Sequence, residues 1–122
     1  MALILVVEDD ESARDFLRSV IQQTKHKGLI LGSAEEARRA VRTIQPDLAL
    51  LDINLPGDHG VSLCWELRQQ FEDIPIIVMS ALLEAWDEDD IKDCGANQTI
   101  AKPIVVSELL EMIRQYLGKG IS

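Results

Sequence analysis

Cysteine is scarce in this chain. The two thiols, Cys64 and Cys94, lie 30 positions apart with no CxxC or histidine-rich spacing. That excludes a disulfide scaffold and a zinc site, fits a reducing cytoplasm, and leaves both as small core hydrophobes. Long hydrophobic runs are missing too. None approaches the roughly 18 residues needed to cross a bilayer, and the start, MALILVVEDD, has neither a basic n-region nor a cleavage site. No membrane segment and no secretory leader are expected. Positive charge is in the minority: 12 Lys and Arg against 21 Asp and Glu give a net charge of −9. With no basic excess to neutralise phosphates, direct nucleic-acid binding by this chain is not expected. Repeats, linkers and low-complexity tracts are absent as well, so residues 1–122 read as one domain with its core at about 3–117. What remains is apolar enough to fold, because 47% hydrophobic residues exclude disorder.

Five short apolar runs recur, each followed by a helical pattern: Leu3–Val7 (LILVV), 29–31 (LIL), 48–51 (LALL), 76–79 (IIVM) and a weaker one at 99–101. The first, third and fourth are continuous rather than alternating, which suits strands covered on both faces. In 11–24, Phe16, Leu17, Val20 and Ile21 form a helical stripe. Ser33 and Glu36 have capping-box spacing and open a helix carrying Ala34, Ala37, Ala40, Val41 and Ile44. Val61, Cys64, Leu67 and Phe71 share one face of 61–71, with Trp65 off it, and Leu109, Leu110, Ile113 and Leu117 do the same in 107–117. The poorest segment is 84–94 (EAWDEDDIKDC), where Ile91 is almost the sole apolar anchor and the alternation alone argues for a helix. Five βα units predict an α/β, flavodoxin-like doubly wound five-stranded parallel sheet of order 2-1-3-4-5 with five helices. Ligands then bind beyond the carboxyl ends of the strands, at the switch point between strands one and three.

Chemistry-bearing residues stand at those ends. Strand one runs into Glu8-Asp9-Asp10-Glu11, strand three ends at Asp52 in DINLPGDHG, strand four at Ser80-Ala81, and strand five reaches Lys102-Pro103. In the expected topology Glu8, Asp9 and Asp52 converge, with Ser80 and Lys102 at the rim. Two carboxylates about 4 Å apart repel by roughly 4 kcal/mol at an effective dielectric near 20. A third makes the cluster unfavourable unless a cation or raised pKa values relieve it, and hard oxygens of this kind suit Mg2+. The Lys102 ammonium and the Ser80 hydroxyl could neutralise a phosphoryl group in flight, and a carboxylate could accept it as an acyl phosphate. Each part has a plainer reading alone. EDDE can be an acidic first helical turn served by Asp10 and Glu11, Asp52 a turn residue, and Lys102 a solvated lysine. One functional type at each of four strand ends is much harder to obtain by accident.

ILVVEDDESAR, LLDINLPGDHG, IIVMSA and the Lys102-Pro103 pair, in this order and spacing, resemble the receiver domain of two-component response regulators. The resemblance covers the chain from Leu3 to about Leu117. It implies that Asp52 is the phosphoacceptor, loaded from a sensor histidine kinase or a histidine phosphotransfer protein. It implies Mg2+ ligated directly by Asp9, mostly through water by Glu8, and by Asp52 and the backbone carbonyl of Asn54. Ser80 and Lys102 are implied to bind the phosphoryl oxygens, with a cis Lys-Pro bond. The implied protein is cytoplasmic and no enzyme beyond catalysing its own aspartyl phosphorylation and dephosphorylation.

The implied output is a population shift on the surface of helix four, strand five and helix five. That surface would engage a downstream output domain, another protein or a second copy. One departure stands out: the family's aromatic switch position, three before the lysine, holds Thr99, and the single tyrosine, Tyr116, lies elsewhere. The acidic segment 82–94 is therefore the expected mobile part. Thr99 also supports the main alternative, an interaction module of this fold that works without phosphate. A flavin-binding relative would need a Ser/Thr/Gly-rich loop where this chain has EDDE. An aspartyl phosphatase would need DxD after strand one and a cap. Trp86 with Leu82 and Leu83 could pack over the weak helix or form a partner surface, and His59 is expected to be exposed.

Overall fold

The computed structural model describes residues 1–55, 60–81 and 88–118. Five strands and five helices alternate among these residues: β1 (Leu3–Val7), α1 (Glu11–Gln22), β2 (Lys27–Leu31), α2 (Ala34–Ala40), β3 (Leu48–Asp52), α3 (Gly60–Gln70), β4 (Ile76–Ser80), α4 (Glu88–Asp93), β5 (Gln98–Ala101) and α5 (Val106–Leu117). All neighbouring strands pair parallel, in the order β2-β1-β3-β4-β5 expected from the alternation.

Side chains alternate across a strand, and here both faces are covered. Ile4, Val6, Leu48, Leu50, Ile77 and Met79 pack on one face with Leu17, Val20 and Ile21 of α1 and Leu109 and Ile113 of α5. Leu5, Val7, Ala49, Leu51 and Val78 pack on the other with Ala34 and Ala37 of α2, Leu63, Cys64 and Leu67 of α3, and Ile91. This is why the central strands read as unbroken apolar runs. Both cysteines are buried in this second layer.

The helix starts follow their caps. Asp10 accepts from Ala13 N at 2.8 Å, and Ser33 accepts from Glu36 N at 3.1 Å, each satisfying an orphan donor of the first turn. Two expected core residues lie outside the core. Phe16 is 38% exposed, because it sits one position before Leu17 and about 100° round the helix from that face. Ile44 is 38% exposed, because α2 ends at Ala40 and the chain turns before reaching it. Trp65 is 53% exposed, off the buried face as its position predicts. The acidic helix is observed over Glu88–Asp93 and anchored by buried Ile91. Residues 82–87, including Leu82, Leu83 and Trp86, and His59 lie outside the described residues. No described helix is long and apolar enough to cross a membrane.

Arg68 ties α3 to the chain that follows α4. Its guanidinium donates to Gly95 O at 3.0 and 2.9 Å, Asn97 Oδ1 at 2.8 Å, Phe71 O at 3.1 Å and Glu72 O at 2.9 Å. Asn97 Oδ1 also accepts from Ile76 N at 2.8 Å. Gly95 has φ +98°, and a Cβ there would strike the Arg68 stem, so both the backbone and the packing demand glycine. Arg68→Ala removes a charge-assisted donor from four acceptors. It should destabilise the fold by about 2 kcal/mol, seen as a lower urea midpoint at an unchanged m-value.

Candidate functional site

The doubly wound order places the carboxyl ends of β1 and β3 side by side, and each carries its acid one step beyond its last apolar residue. Glu8 follows Val7, and its backbone N–H donates to Leu31 O at 3.0 Å, holding it at the crest of the sheet. Asp52 is the last residue of β3, and its Oδ1 accepts from Asn54 N at 2.8 Å. Both carboxylates are buried, at 1% and 3% exposure, whereas Asp9 is exposed. One carboxylate oxygen from each of Glu8, Asp9 and Asp52 falls within 4.8 Å of the others. The three acids predicted to converge do so.

Lys102 enters from the end of β5. Its Nζ lies 2.6 Å from Glu8 Oε1 and 3.1 Å from Asp52 Oδ2. Burial raises the Glu8 carboxyl above its ordinary range; the Lys102 ammonium pulls it down and the neighbouring Asp52 pushes it up, for a net rise. For Lys102 burial works to lower the ammonium, but its bonds to Glu8 and Asp52 outweigh that and hold its pKa above the ordinary value. Among the described residues Lys102 is the cation paired with these carboxylates, and it bonds two of the three, which leaves the crevice with room for more positive charge. Its donors are hard oxygens set close together, which fits Mg2+ rather than a softer ion.

Ser80, at the end of β4, is fully buried, and its Oγ accepts from Asn54 Nδ2 at 3.1 Å. Its carbonyl accepts from Lys102 N at 3.0 Å, which joins the ends of β4 and β5. The Lys102-Pro103 peptide is cis. The expected members of the site, Glu8, Asp9, Asp52, Asn54, Ser80 and Lys102, thus share one end of the sheet.

Two further residues, Arg14 and Gly60, are not singled out by the sequence, and Asn54 is expected only for its backbone carbonyl. Arg14 Nη1 donates to the carbonyls of Glu8 at 2.9 Å and Asp9 at 2.8 Å, clamping the turn that carries both acids. Its position four after the α1 cap is the only sequence signal, since one helical turn brings it back over that loop. Asn54 joins Asp52 to Ser80, its backbone N–H donating to Asp52 Oδ1 and its side-chain Nδ2 to Ser80 Oγ, and the motif alone does not reveal the second bond. Gly60 is required by close approach: a Cβ there would overlap the Asp52 carbonyl oxygen and the Ile53 backbone, so α3 could not start against the β3 end.

The chain matches the family described as the response regulator receiver domain over residues 4–114. It is 35% identical over 117 residues to the DNA-binding response regulator MtrA of Mycobacterium tuberculosis (strain ATCC 25618 / H37Rv), covering 96% of this chain and 51% of that protein. It is 34% identical over 122 residues to the KDP operon transcriptional regulatory protein KdpE of Escherichia coli (strain K12), covering 98% of this chain and 52% of the other. The chain therefore spans about half the length of these curated relatives. Among solved structures, the receiver domain of the TMAO respiratory system response regulator TorR superposes with a TM-score of 0.88 at 26% identity, covering 99% of this chain and 100% of that one. The receiver domain of sensor histidine kinase PA1611 from Pseudomonas aeruginosa PAO1, described with a magnesium ion in its active-site cleft, superposes with a TM-score of 0.86 at 25% identity, covering 97% and 98%.

This chain belongs to the response regulator receiver domain family, whose general role is phosphorylation-dependent switching. It is a member of a signalling family rather than of an enzyme family.

Lys102 is the cation that lets Glu8 and Asp52 lie buried together. Lys102→Met, which keeps most of the volume, should destabilise the metal-free protein by about 2 kcal/mol, below the 3–5 typical of fully buried pairs because Lys102 keeps some solvent contact. Glu8→Gln in that background should recover most of the loss, measured as chemical-denaturation midpoints.

Proposed function

We propose that residues 1–122 act as one receiver unit in a two-component pathway. In this reading Asp52 takes a phosphoryl group from the phosphohistidine of a sensor histidine kinase or a histidine phosphotransfer protein. The observation that carries it is the Lys102 ammonium bonded to both Asp52 and Glu8 at the switch point, with Asp9 beside them. A carboxylate oxygen of Asp52 attacks the phosphorus and forms the O–P bond of an acyl phosphate. The P–N bond breaks, and the electron pair returns to the donor imidazole as leaving group. Asn54 N–H fixes the Asp52 carboxylate through Oδ1. Lys102 offsets charge on the phosphoryl oxygens, and the Ser80 hydroxyl is the proposed donor to one of them. Hydrolysis of the acyl phosphate by water resets the site, so the receiver catalyses its own loading and unloading and nothing else.

Asp9 directly, Glu8 through water, Asp52, and the Asn54 carbonyl would hold Mg2+, which when bound neutralises negative charge shared by the carboxylates and the incoming phosphoryl group.

The output follows from the same contacts. A phosphoryl group on Asp52 competes for Lys102 and Ser80, and so biases the ends of β4 and β5 and the face of α4, β5 and α5. Thr99, half-buried on β5, lines a hollow of about 230 Å³ with Ile91 and Ala96, and none of the described residues lining it carries an aromatic ring. The shift then runs through the stretch between Ser80 and Cys94. That face would meet a downstream output domain, another protein or a second copy, in the cytoplasm.

Two measurements test this. Incubation with acetyl phosphate and millimolar Mg2+ should add the mass of one phosphoryl group to the wild type and none to Asp52→Asn. An unchanged wild-type mass would leave the phosphate-independent interaction module as the reading. Separately, millimolar Mg2+ should raise the wild-type melting temperature by mass action, and Asp9→Ala should abolish the rise. A wild type indifferent to Mg2+ would remove the metal from the site.

A further inference from the structure

The three acids of the crevice are not held alike. Glu8 is bonded through Oε1 by Lys102 Nζ and through Oε2 by Asp10 N at 3.2 Å, and Asp52 is bonded by Lys102 Nζ and Asn54 N. Asp9 is exposed, and its carboxylate has no hydrogen-bond partner among the described residues. The one hydrogen bond that Asp9 makes among them goes through its main chain. Its carbonyl accepts from Arg14 Nη1 at 2.8 Å, and the same nitrogen donates to the Glu8 carbonyl at 2.9 Å. The place of the Asp9 carboxylate, with an oxygen within 4.8 Å of the other two acids, is thus set through a backbone that Arg14 grips. Arg14 has a seat of its own. It is the fourth residue of α1, half-buried, and its guanidinium lies against Gly32, which directly follows β2. A Cβ on Gly32 would stand 3.0 Å from Arg14 Nη1 and 3.5 Å from Cζ, so the bare glycine leaves the space that the guanidinium fills.

We propose that Arg14 is a positioning residue for the metal site, its guanidinium seated against Gly32 and holding the main chain of Glu8 and Asp9 so that the Asp9 carboxylate stays beside those of Glu8 and Asp52. On the Mg2+ reading given above, on which this role rests, charge and geometry pull in opposite directions. By Coulomb's law alone, a cation near three carboxylates competes with a second one, and removing Arg14 would strengthen Mg2+ binding. By geometry, removing it frees the turn at residues 8 and 9. Binding must then also order the Asp9 backbone before that carboxylate can serve as a ligand, which weakens it. The observed contacts favour the second effect. Arg14 Nη1 is engaged with two carbonyls, so its charge is directed at backbone and not at a carboxylate of the cluster. Glu8 depends on the clamp less than Asp9 does, because Lys102, Asp10 N and the Leu31 carbonyl also hold it.

The test titrates MgCl2 into the isotope-labelled 122-residue chain, with no phosphodonor, and follows the amide NMR shifts of residues around the crevice. That yields a dissociation constant and shows directly whether each variant is folded. Arg14→Met should weaken Mg2+ binding about tenfold, the lower end of what is lost when a group that orients a metal ligand is removed. Gly32→Ala keeps the Arg14 charge but displaces its guanidinium, and should weaken binding about two- to threefold. Added to Arg14→Met, the glycine substitution should lose nothing further, since no guanidinium is left to displace. Arg68→Ala loosens the fold through contacts at the far end of α3, and should leave the constant within about twofold of wild type. Binding in Arg14→Met as tight as wild type or tighter, additive losses in the double variant, or equal weakening in Arg68→Ala would each overturn the proposal. So would Gly32→Ala at wild-type affinity, which decides the matter if Arg14→Met does not fold. A wild type whose amides ignore Mg2+ would instead remove the metal reading itself, and the role of Arg14 with it.

Discussion

The contact between Lys102 and the two buried acids, Glu8 and Asp52, is the constraint on which the site depends. It joins residues 94 and 50 positions apart in sequence, so it exists only when the sheet is complete from β1 to β5. Its net contribution to stability is small, because desolvating three charged groups costs several kcal/mol per ion and Coulomb attraction returns about as much. Its value lies in specificity. Without Lys102, two carboxylates in one dry crevice would repel by roughly 4 kcal/mol, and the strand ends would be pushed apart where the chemistry needs them close. The ammonium fixes that spacing and leaves Asp9, on the solvent side, free to receive further positive charge.

Such a crest needs a rigid base. The body of the sheet is apolar on both faces, from Ile4–Val7 through Leu48–Leu51 to Ile76–Met79, and those layers stabilise the fold enough to carry a charge cluster at one end. The division is sharp. Glu8, Asp52 and Ser80 are the only polar or charged residues among the described ones that are buried, and all three stand at strand ends. No buried side-chain donor or acceptor among the described residues lacks a hydrogen-bond partner. The polar burial therefore belongs to the site.

Sequence legibility follows this division. Continuous apolar strands, the Asp10 and Ser33 caps and the alternation with helices were readable because each is a local pattern with one physical cause. The acids and Lys102 were readable because parallel topology sends every strand's carboxyl end to the same side. Phe16 and Ile44 misled because hydrophobicity alone does not say which side of a helix, or which side of a helix end, a residue occupies. Arg68, Arg14 and Gly60 were not legible. The two arginines bind backbone carbonyls that no sequence pattern advertises, and Gly60 answers to a backbone contact that exists only after α3 has packed against the end of β3.

In the proposed mechanism the geometry also explains how one carboxylate can act as both acceptor and trigger. Before transfer, Lys102 divides its ammonium between Asp52 and Glu8, and the Ser80 hydroxyl accepts from Asn54. An acyl phosphate moves the negative charge of Asp52 outward onto three oxygens beyond the carboxylate carbon. Lys102 cannot follow that charge and keep a 2.6 Å bond to Glu8, so one of the two contacts must lengthen. Glu8, whose carboxyl burial already raises above its ordinary range, is the partner that would lose the cation in the proposed transfer. The Ser80 carbonyl, which accepts from Lys102 N, ties any such adjustment of the lysine to the end of β4. Because Lys102 and Ser80 stand at the ends of β5 and β4, the proposed response would be directed to the chain that leaves those strands.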